Sequence, residues 1–452
     1  MKIVVMGCGK IGNTVISSLV SEGHDVVAVD SNSAAIDEIR DIYDIICICG
    51  NGADYDTLLE AGIDKTDIFV AITGSDELNM LSCVIAEKMG AKHTVARIRN
   101  PEYNDKNLPY VKQYLGLSLH INPELLVASE LFNILKLPSA VNIETFSRRN
   151  FEMVEFILKE NSNLDGVSLM DLRKKYKSNF LIGLVVRNDE VFVPDGNFVL
   201  KNGDRIGIIA TPHEIHKFFK TMGAIQKQAK NVMILGASTT AFYLAKMLLS
   251  SGSNVTIVDK DEARCSLAAQ RLPGAVVING DGASQEVLLE EGLLTSDALV
   301  TLTGIDEENI LVSFFAMSQK VPKVIAKINS NELISMAEKL GIDSVISPKR
   351  IVSDVITRYA RALQNSVGSN VETLYKFMDG KIEALEFNVS NEFKAQQIPL
   401  KEMKLKSNVL IGGIIRKRKV FIPTGDDVIC AGDRVVVISE GQKMKDLSDI
   451  LK

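Results

Sequence analysis

The sequence predicts an α/β protein built from two doubly wound parallel-sheet domains, each followed by a small α+β domain. Three observations carry that prediction. Short β-branched runs alternate with helical patterns, the signature of βαβ units. In each half the texture then turns strand-rich, with turn signals between the runs. Finally, the whole order recurs. "MKIVVMGCGKIGNTVISSLVSEGHDVVAVDSN" opens the chain, and "NVMILGASTTAFYLAKMLLSSGSNVTIVDKD" begins at residue 231. Gly7 and Gly236 lie 229 residues apart, as do Asp30 and Asp259 and, much later, Asp204 and Asp433. "GNGADYDTLLEAGIDKTDIFVAITGSDELN" recurs as "NGDGASQEVLLEEGLLTSDALVTLTGIDEEN". A period of this length is too long for a solenoid and fits a duplicated two-domain unit.

Taken in order, the first repeat offers the strands "KIVVM", "DVVAV", "IICIC", "DIFVAIT", "TVARI" and "SLHIN". Helical patterns such as "IGNTVISSLV" and "ELNMLSCVIAEKM" fall between them. Six strands so connected suit a Rossmann-like sheet. A lone helix follows, "PELLVASELFNILKLPS" from Pro123, matched by "PKRIVSDVITRYARALQ" from Pro348. Both open with proline, a residue suited to the first helical position. An apolar stripe that includes Leu125, Leu126, Leu131, Phe132 and Leu135 predicts that these helices make contacts or exchanges between the parallel-sheet domains. Beyond them, "LIGLVVRNDEVFVPDGNFVLKNGDRIGIIA" reads as a hairpin about "RNDE" and a tight turn at "KNGD" feeding another strand. The expected domains are residues 1–138, 139–225, 230–366 and 367–452, with the polar linker "IQKQAKN" at the seam between the copies.

Composition excludes several classes. Hydrophobic residues make up 46% and charged ones 24%, and the net charge of −6 leaves no basic field for nucleic acid. The six cysteines sit mostly in apolar runs and are expected as reduced core thiols; no second CxxC-like pair completes a zinc site. The first strand starts at Lys2, leaving no room for a signal peptide, and Lys or Gly breaks every long apolar segment short of about 18 residues. A cytoplasmic protein is expected. Membrane contact would come only through a partner.

The site candidates lie at strand tips. Gly7-Cys8-Gly9-Lys10-Ile11-Gly12 fits G-x-G-x-x-G, follows a strand, opens a helix, and precedes Asp30 at the end of the second strand. Gly7 permits the tight turn, Gly9 lets the backbone approach a pyrophosphate, and Gly12 allows close helix–strand packing. The helix N-terminus offers unpaired N–H groups to phosphate. Asp30 can accept from ribose hydroxyls and would repel a 2′-phosphate, so NAD or an adenosine nucleotide is favoured over NADP. Asn51, Thr73 and Gly74 end neighbouring strands, and Arg97 ends the fifth, where a guanidinium reaches phosphate or joins a surface ion pair. Asp76 and Glu77 read as capping or first-turn acids. In the second copy Gly236 survives, Ser238 replaces the middle glycine and Ala241 the third. A Cβ at Ser238 crowds the pyrophosphate, while Thr239 and Thr240 offer hydroxyls. With Asp259 retained, this second site is expected to be weakened or altered.

The ordered set of glycine loop, Asp30, "GNGADYDTLLEAGI", "AITGSDELN" and "ARIRNPEY" resembles a nucleotide-binding RCK (KTN) domain. The strand-rich partners with "NGDRIGII" and "AGDRVVVI" look like the small C-terminal domain paired with it. Two such pairs in one chain resemble the TrkA family of peripheral regulatory subunits of bacterial Trk potassium transporters, and the resemblance spans essentially the whole chain. It implies a homo-oligomeric ring at the inner face of the plasma membrane, held there by an integral potassium-translocating subunit. NAD(H) or ATP/ADP at the strand tips would shift the ring. Carried over by position, the first site would comprise Gly7, Cys8, Gly9, Lys10, Ile11, Asp30, Asn51, Thr73, Gly74 and Arg97. The second would comprise Gly236, Ser238, Asp259, Thr303, Gly304 and Lys327, with "GASTTA" departing from the pattern.

Two rivals remain on sequence grounds. An NAD-dependent oxidoreductase needs an acid or base beside the nicotinamide, and none of the five histidines stands where one is required; the chain is expected not to be an enzyme. A stand-alone nucleotide- or second-messenger-binding module would lack the transporter; the resemblance implies that the small domains either host another ligand such as cyclic di-AMP or simply dimerise. The basic run "RKRK" (416–419) occupies the same hairpin position as "RNDE" (187–190), which makes a solvated turn its expected role.

Overall fold

A computed structural model describes every residue except 105–113, 138–139, 147–150, 159–161, 177–178, 189, 223–227, 343, 367–370, 378–381, 418, 441–443 and 445. The expected domain borders at 138/139, 225 and 367 fall on or beside these residues, as does part of the linker.

Four sheets form. The first contains β1 (Lys2–Met6), β2 (Asp25–Asp30), β3 (Ile46–Cys49), β4 (Ile68–Ala71), β5 (His93–Arg97) and β6 (Leu119–Ile121), all parallel, in the order β3-β2-β1-β4-β5-β6. Such an order reverses beside β1, which leaves a crevice at the carboxyl ends of β1 and β4. Val4, Met6, Val27, Val29, Phe69 and Ala71 are fully or almost fully buried, as near-continuous apolar strands covered on both faces must be. Then come β7 (Asn142–Phe146), β8 (Phe151–Ile157), β9 (Phe180–Arg187), β10 (Glu190–Phe192) and β11 (Arg205–Ala210), an antiparallel sheet in the order β10-β9-β11-β8-β7. The hairpin expected at "RNDE" is the β9–β10 pairing, and "KNGD" is a turn closed by Asp204 N–H to the Lys201 carbonyl, with Gly203 at φ +85°.

The second repeat restates both sheets. β12 (Asn231–Leu235), β13 (Asn254–Asp259), β14 (Val276–Asn279), β15 (Ala298–Thr301), β16 (Lys323–Lys327) and β17 (Ser344–Ile346) run parallel in the order β14-β13-β12-β15-β16-β17. β18 (Val371–Phe377), β19 (Ile382–Asn388), β20 (Val409–Arg416), β21 (Lys419–Phe421) and β22 (Arg434–Glu440) form the antiparallel order β18-β19-β22-β20-β21.

The chain divides into two compact units. Residues 1–131 and 231–360 carry both parallel sheets; residues 132–230 and 361–452 carry both antiparallel sheets. Within the first unit the repeats hold one another. Asn122 Nδ2 donates to Tyr243 Oη at 3.3 Å, and Ser353 Oγ donates to Thr14 O at 3.3 Å and to Ser18 Oγ at 2.7 Å. Thus the residue preceding the helix Pro123–Lys136 reaches the second repeat, and the helix Pro348–Ser366 reaches the first. Within the second unit, Phe151, Leu184 and Ile209 of one antiparallel sheet share a core with Ile382, Val436 and Ile438 of the other.

Two sequence expectations need correction. Cys8, Cys83 and Cys265 are buried, but Cys49 is exposed because β3 is an outer strand and its second thiol faces away from the core. Arg416 is no freely solvated residue of a basic turn: its guanidinium donates to both Asp433 carboxylate oxygens, at 2.8 and 2.7 Å, and to the Val428 carbonyl. Arg418 lies outside the described residues. Among the described residues, no helix is long and apolar enough to cross a membrane.

Candidate nucleotide cleft

β1 ends at Met6 and the chain must turn at once into the helix Lys10–Ser21. Gly7 makes that turn at φ +103°, a conformation that a side chain strains, and a Cβ at Gly12 would overlap the Gly7 carbonyl. Both glycines are required by the protein itself. Gly9 differs: it is the N-cap, has no side-chain cap, and a Cβ there would meet nothing within 4 Å. The helix therefore begins with an uncapped, open N-terminus, where N–H groups and the helix dipole favour an anion.

Around this opening lies a cleft of 540 Å³. Gly7, Gly9, Lys10, Ile11 and Gly12 line it from the loop, Asp30 from β2, Asn51 from beyond β3, Thr73 and Gly74 from beyond β4, and Arg97 from β5. The structure thus gathers every first-copy candidate but one. Cys8 points elsewhere: its Sγ donates to the Val29 carbonyl, its thiol pKa is pushed up to about 12 by burial, then by Asp30 and Cys47, and it lines a neighbouring cavity.

The Asp30 carboxylate accepts from Cys8 N at 2.6 Å and from Asn32 N at 2.8 Å, so it fixes the glycine loop as well as facing the cleft. Arg97 Nε is buried without a hydrogen-bond partner among the described residues. Burial, then the neighbouring Arg99, pulls its pKa below the usual guanidinium value. A desolvated cation in a cleft wall is suited to a bound anion.

Sequence reasoning missed the scaffold behind Thr73 and Arg97. Asn79 Oδ1 accepts from Thr73 N at 2.9 Å and Oγ1 at 2.7 Å, while its Nδ2 donates to Arg97 O at 2.9 Å. One buried amide thus locks two strand tips together. Asp76 does more than supply first-turn charge; Ser75 is the cap, and Asp76 Oδ2 accepts from Arg99 N at 2.8 Å and Asn100 N at 2.7 Å. The repeated "SDELN" and "DEEN" segments were the available signal. Asn329, from the second repeat, also lines the cleft, and no local pattern announces a contact between repeats.

The second copy keeps the scaffold and loses the opening. Gly236 turns at φ +97°, and Asp259 accepts from Ala237 N at 2.6 Å and Asp261 N at 2.8 Å. Asn309 holds Thr303 N and the Lys327 carbonyl as Asn79 does in the first copy, and a Cβ at Gly304 would meet nothing. But Ser238 caps its own helix, its hydroxyl accepting from Ala241 N at 3.3 Å. Lys327 donates to the Leu302 carbonyl at 3.3 Å, and burial depresses its pKa. Thr240 is buried and Thr239 exposed.

Comparison with known proteins agrees with this architecture. The TrkA-N domain profile matches residues 3–117 and 232–348, and the TrkA-C domain profile matches 153–223 and 386–452. The chain is 30% identical over 455 residues to the Trk system potassium uptake protein TrkA homolog of Archaeoglobus fulgidus, covering 100% of both. It is 27% identical to the Trk system potassium uptake protein TrkA of Haemophilus influenzae, covering 98% of this chain and 96% of that one. Among solved structures, the GsuK RCK domain superposes with a TM-score of 0.65 at 15% identity, covering 97% of this chain and 92% of that chain, which establishes the shared fold. The GsuK channel bound to NAD superposes with a TM-score of 0.64.

Proposed function

This chain belongs to the TrkA family, and on that premise we propose that it is the nucleotide-sensing regulatory subunit of a Trk-type potassium uptake system. The observation that carries the reading is the uncapped helix at Gly9, open toward a cleft that also holds Asp30 and the unpartnered Arg97 Nε. A diphosphate at the helix N-terminus receives N–H groups, Arg97 neutralises charge across the cleft, and the remaining carboxylate lone pairs of Asp30 accept from ribose hydroxyls. NAD(H) and ATP/ADP both offer that chemistry. The first-site residues are Gly7, Gly9, Lys10, Ile11, Gly12, Asp30, Asn51, Thr73, Gly74 and Arg97. Cys8 contributes its backbone to the loop. The residues at the second site (Gly236, Ser238, Asp259, Thr303, Gly304, Lys327) preserve the frame with a self-capped helix, and binding there is weaker.

The chain works at the inner face of the membrane as a homo-oligomer docked on an integral potassium-translocating subunit, without catalysis of its own. A nucleotide gates only if its affinity differs between two conformations of the assembly. The test is reconstitution of the full chain with its membrane subunit in proteoliposomes, with potassium flux measured against NAD, NADH, ATP and ADP. Flux that changes with nucleotide, and stops changing in Gly9→Ala, supports the reading. Flux indifferent to all four nucleotides overturns it. Steady turnover of NADH with oxo-acids would instead favour the oxidoreductase.

A further inference from the structure

Two thiols sit two residues apart on β3, the outer strand of the first parallel sheet. Ile48, between them, packs into the core with Val27, Val29 and Leu58. Strand side chains alternate, so Cys47 and Cys49 share the other face. That face looks toward the helix Ser33–Ile42, whose Arg40 is the charge beside Cys47. Cys49 is exposed, and its Sγ makes only a long contact, 3.8 Å, with the Ser31 carbonyl. Cys47 is half-buried; burial holds its thiol above the ordinary range, and Arg40 opposes that shift.

The fold does not demand the pair. In the second repeat β14 keeps the same register against β13, and Val277 and Asn279 stand where Cys47 and Cys49 do. Both thiols therefore belong to the copy whose helix N-terminus is open.

Geometry decides which thiols can join. Two residues apart along a strand, Cys47 and Cys49 have Cα atoms about 6.6 Å apart. That is the upper end of the separations, about 4.4–6.8 Å, that a disulfide spans. Cys8 lies across β2 from them, roughly two strand spacings or ~9.6 Å away, and is out of reach. An outer strand can bulge to close such a bond, since only one of its edges is held by a neighbour. A disulfide at the limit of its reach is strained and readily reduced again.

We propose that Cys47 and Cys49 are a reversible dithiol–disulfide pair, oxidised by a small disulfide, whose closure distorts one wall of the nucleotide cleft. The exposed Cys49 thiolate attacks the small disulfide, forming a mixed disulfide and releasing one thiolate. The Cys47 thiolate then attacks the Cys49 sulfur and expels the second. Two protein thiols are oxidised, one disulfide is reduced to two thiols, and the protein's two protons pass to the leaving groups. Arg40 favours the Cys47 thiolate in the second step. Closure shortens β3 immediately before Gly50, whose N–H donates to the Asp30 carbonyl at 2.9 Å, and before Asn51; both residues line the cleft. The effect on ligand binding rests on the nucleotide reading, and the chemistry of the pair does not.

The test treats the full chain with glutathione disulfide and maps the tryptic peptide 41–65, whose only thiols are Cys47 and Cys49, by mass spectrometry. In wild type the peptide is expected to lose a pair of hydrogens, to carry no glutathione, and to be restored by dithiothreitol. Cys47→Ser keeps a glutathione on Cys49, because nothing resolves the mixed disulfide. NAD titration is expected to give an affinity at least fivefold lower for oxidised than for reduced wild type, with no change in Cys49→Ser given the same treatment. A peptide left unchanged, glutathione retained on wild-type Cys49, or a link from Cys47 to Cys8 overturns the pair. A disulfide that forms while NAD affinity holds constant overturns the link to the cleft. If the reduced protein binds no NAD, the nucleotide reading falls, and with it the link, while the peptide masses still decide the pair.

Discussion

The three glycines of the first loop have separable physical roles, and substitution distinguishes them. A Cβ at Gly9 meets nothing in the protein, so Gly9→Ala costs only the N-cap preference, about 0.5–1 kcal/mol of stability, while nucleotide affinity falls at least tenfold, about 1.4 kcal/mol. A Cβ at Gly12 overlaps the Gly7 carbonyl, so Gly12→Ala lowers stability and affinity together, measured by differential scanning calorimetry beside the titration. The sequence pattern made the loop and Asp30 legible because their spacing is a local consequence of strand, turn and helix. It did not reveal that Cys8 turns its thiol out of the cleft, or that Ser238 spends its hydroxyl on its own helix. Side-chain direction within a turn follows from backbone geometry that residue type alone does not encode.

At the scale of elements, buried polar groups rather than apolar packing set the strand tips. Asn79→Ala leaves Thr73 N–H and the Arg97 carbonyl without their partner, and a destabilisation of about 2–3 kcal/mol is expected from denaturant unfolding, with weaker nucleotide binding because two cleft residues lose their anchor. In the antiparallel sheets the corresponding device is a buried carboxylate gripped by a partly exposed arginine. Arg187 donates to both oxygens of Asp204 at 2.7 Å and to the Val199 carbonyl, and Arg416 repeats this with Asp433 and Val428. Asp204 is 1% exposed and also accepts from Lys201 N at 2.8 Å, so Asp204→Ala leaves that turn donor unpaired while the partly exposed guanidinium stays hydrated; a cost of about 1–3 kcal/mol is expected, read as a lowered midpoint of unfolding of that unit. The strands themselves, the hairpin and the turn were legible, since period-two and helical-period patterns are local. These polar locks were visible only as aspartates and asparagines recurring in both repeats, because their partners lie on other strands.

At the scale of the whole molecule, duplication supplies a frame and divergence assigns its parts. Both parallel sheets keep the Asn79/Asn309 and Asp76/Asp306 scaffolds, yet only the first presents an uncapped glycine at its helix. The repeats are joined by the Asn122–Tyr243 hydrogen bond, and Tyr243→Phe is expected to cost about 1 kcal/mol, lowering the midpoint of the unit that holds the parallel sheets. The period of about 229 residues declared two copies; which residues of one copy complete the site of the other, such as Asn329, was not legible, because contacts at that separation leave no local periodicity. The central claim is that one open helix N-terminus per chain holds a nucleotide diphosphate. The most direct measurement is calorimetric titration of the purified chain with NAD and with ATP, comparing wild type with Gly9→Ala. One tight site per chain, weakened at least tenfold in Gly9→Ala, is the predicted result; equal affinity in the two proteins, or two equally tight sites per chain, contradicts it.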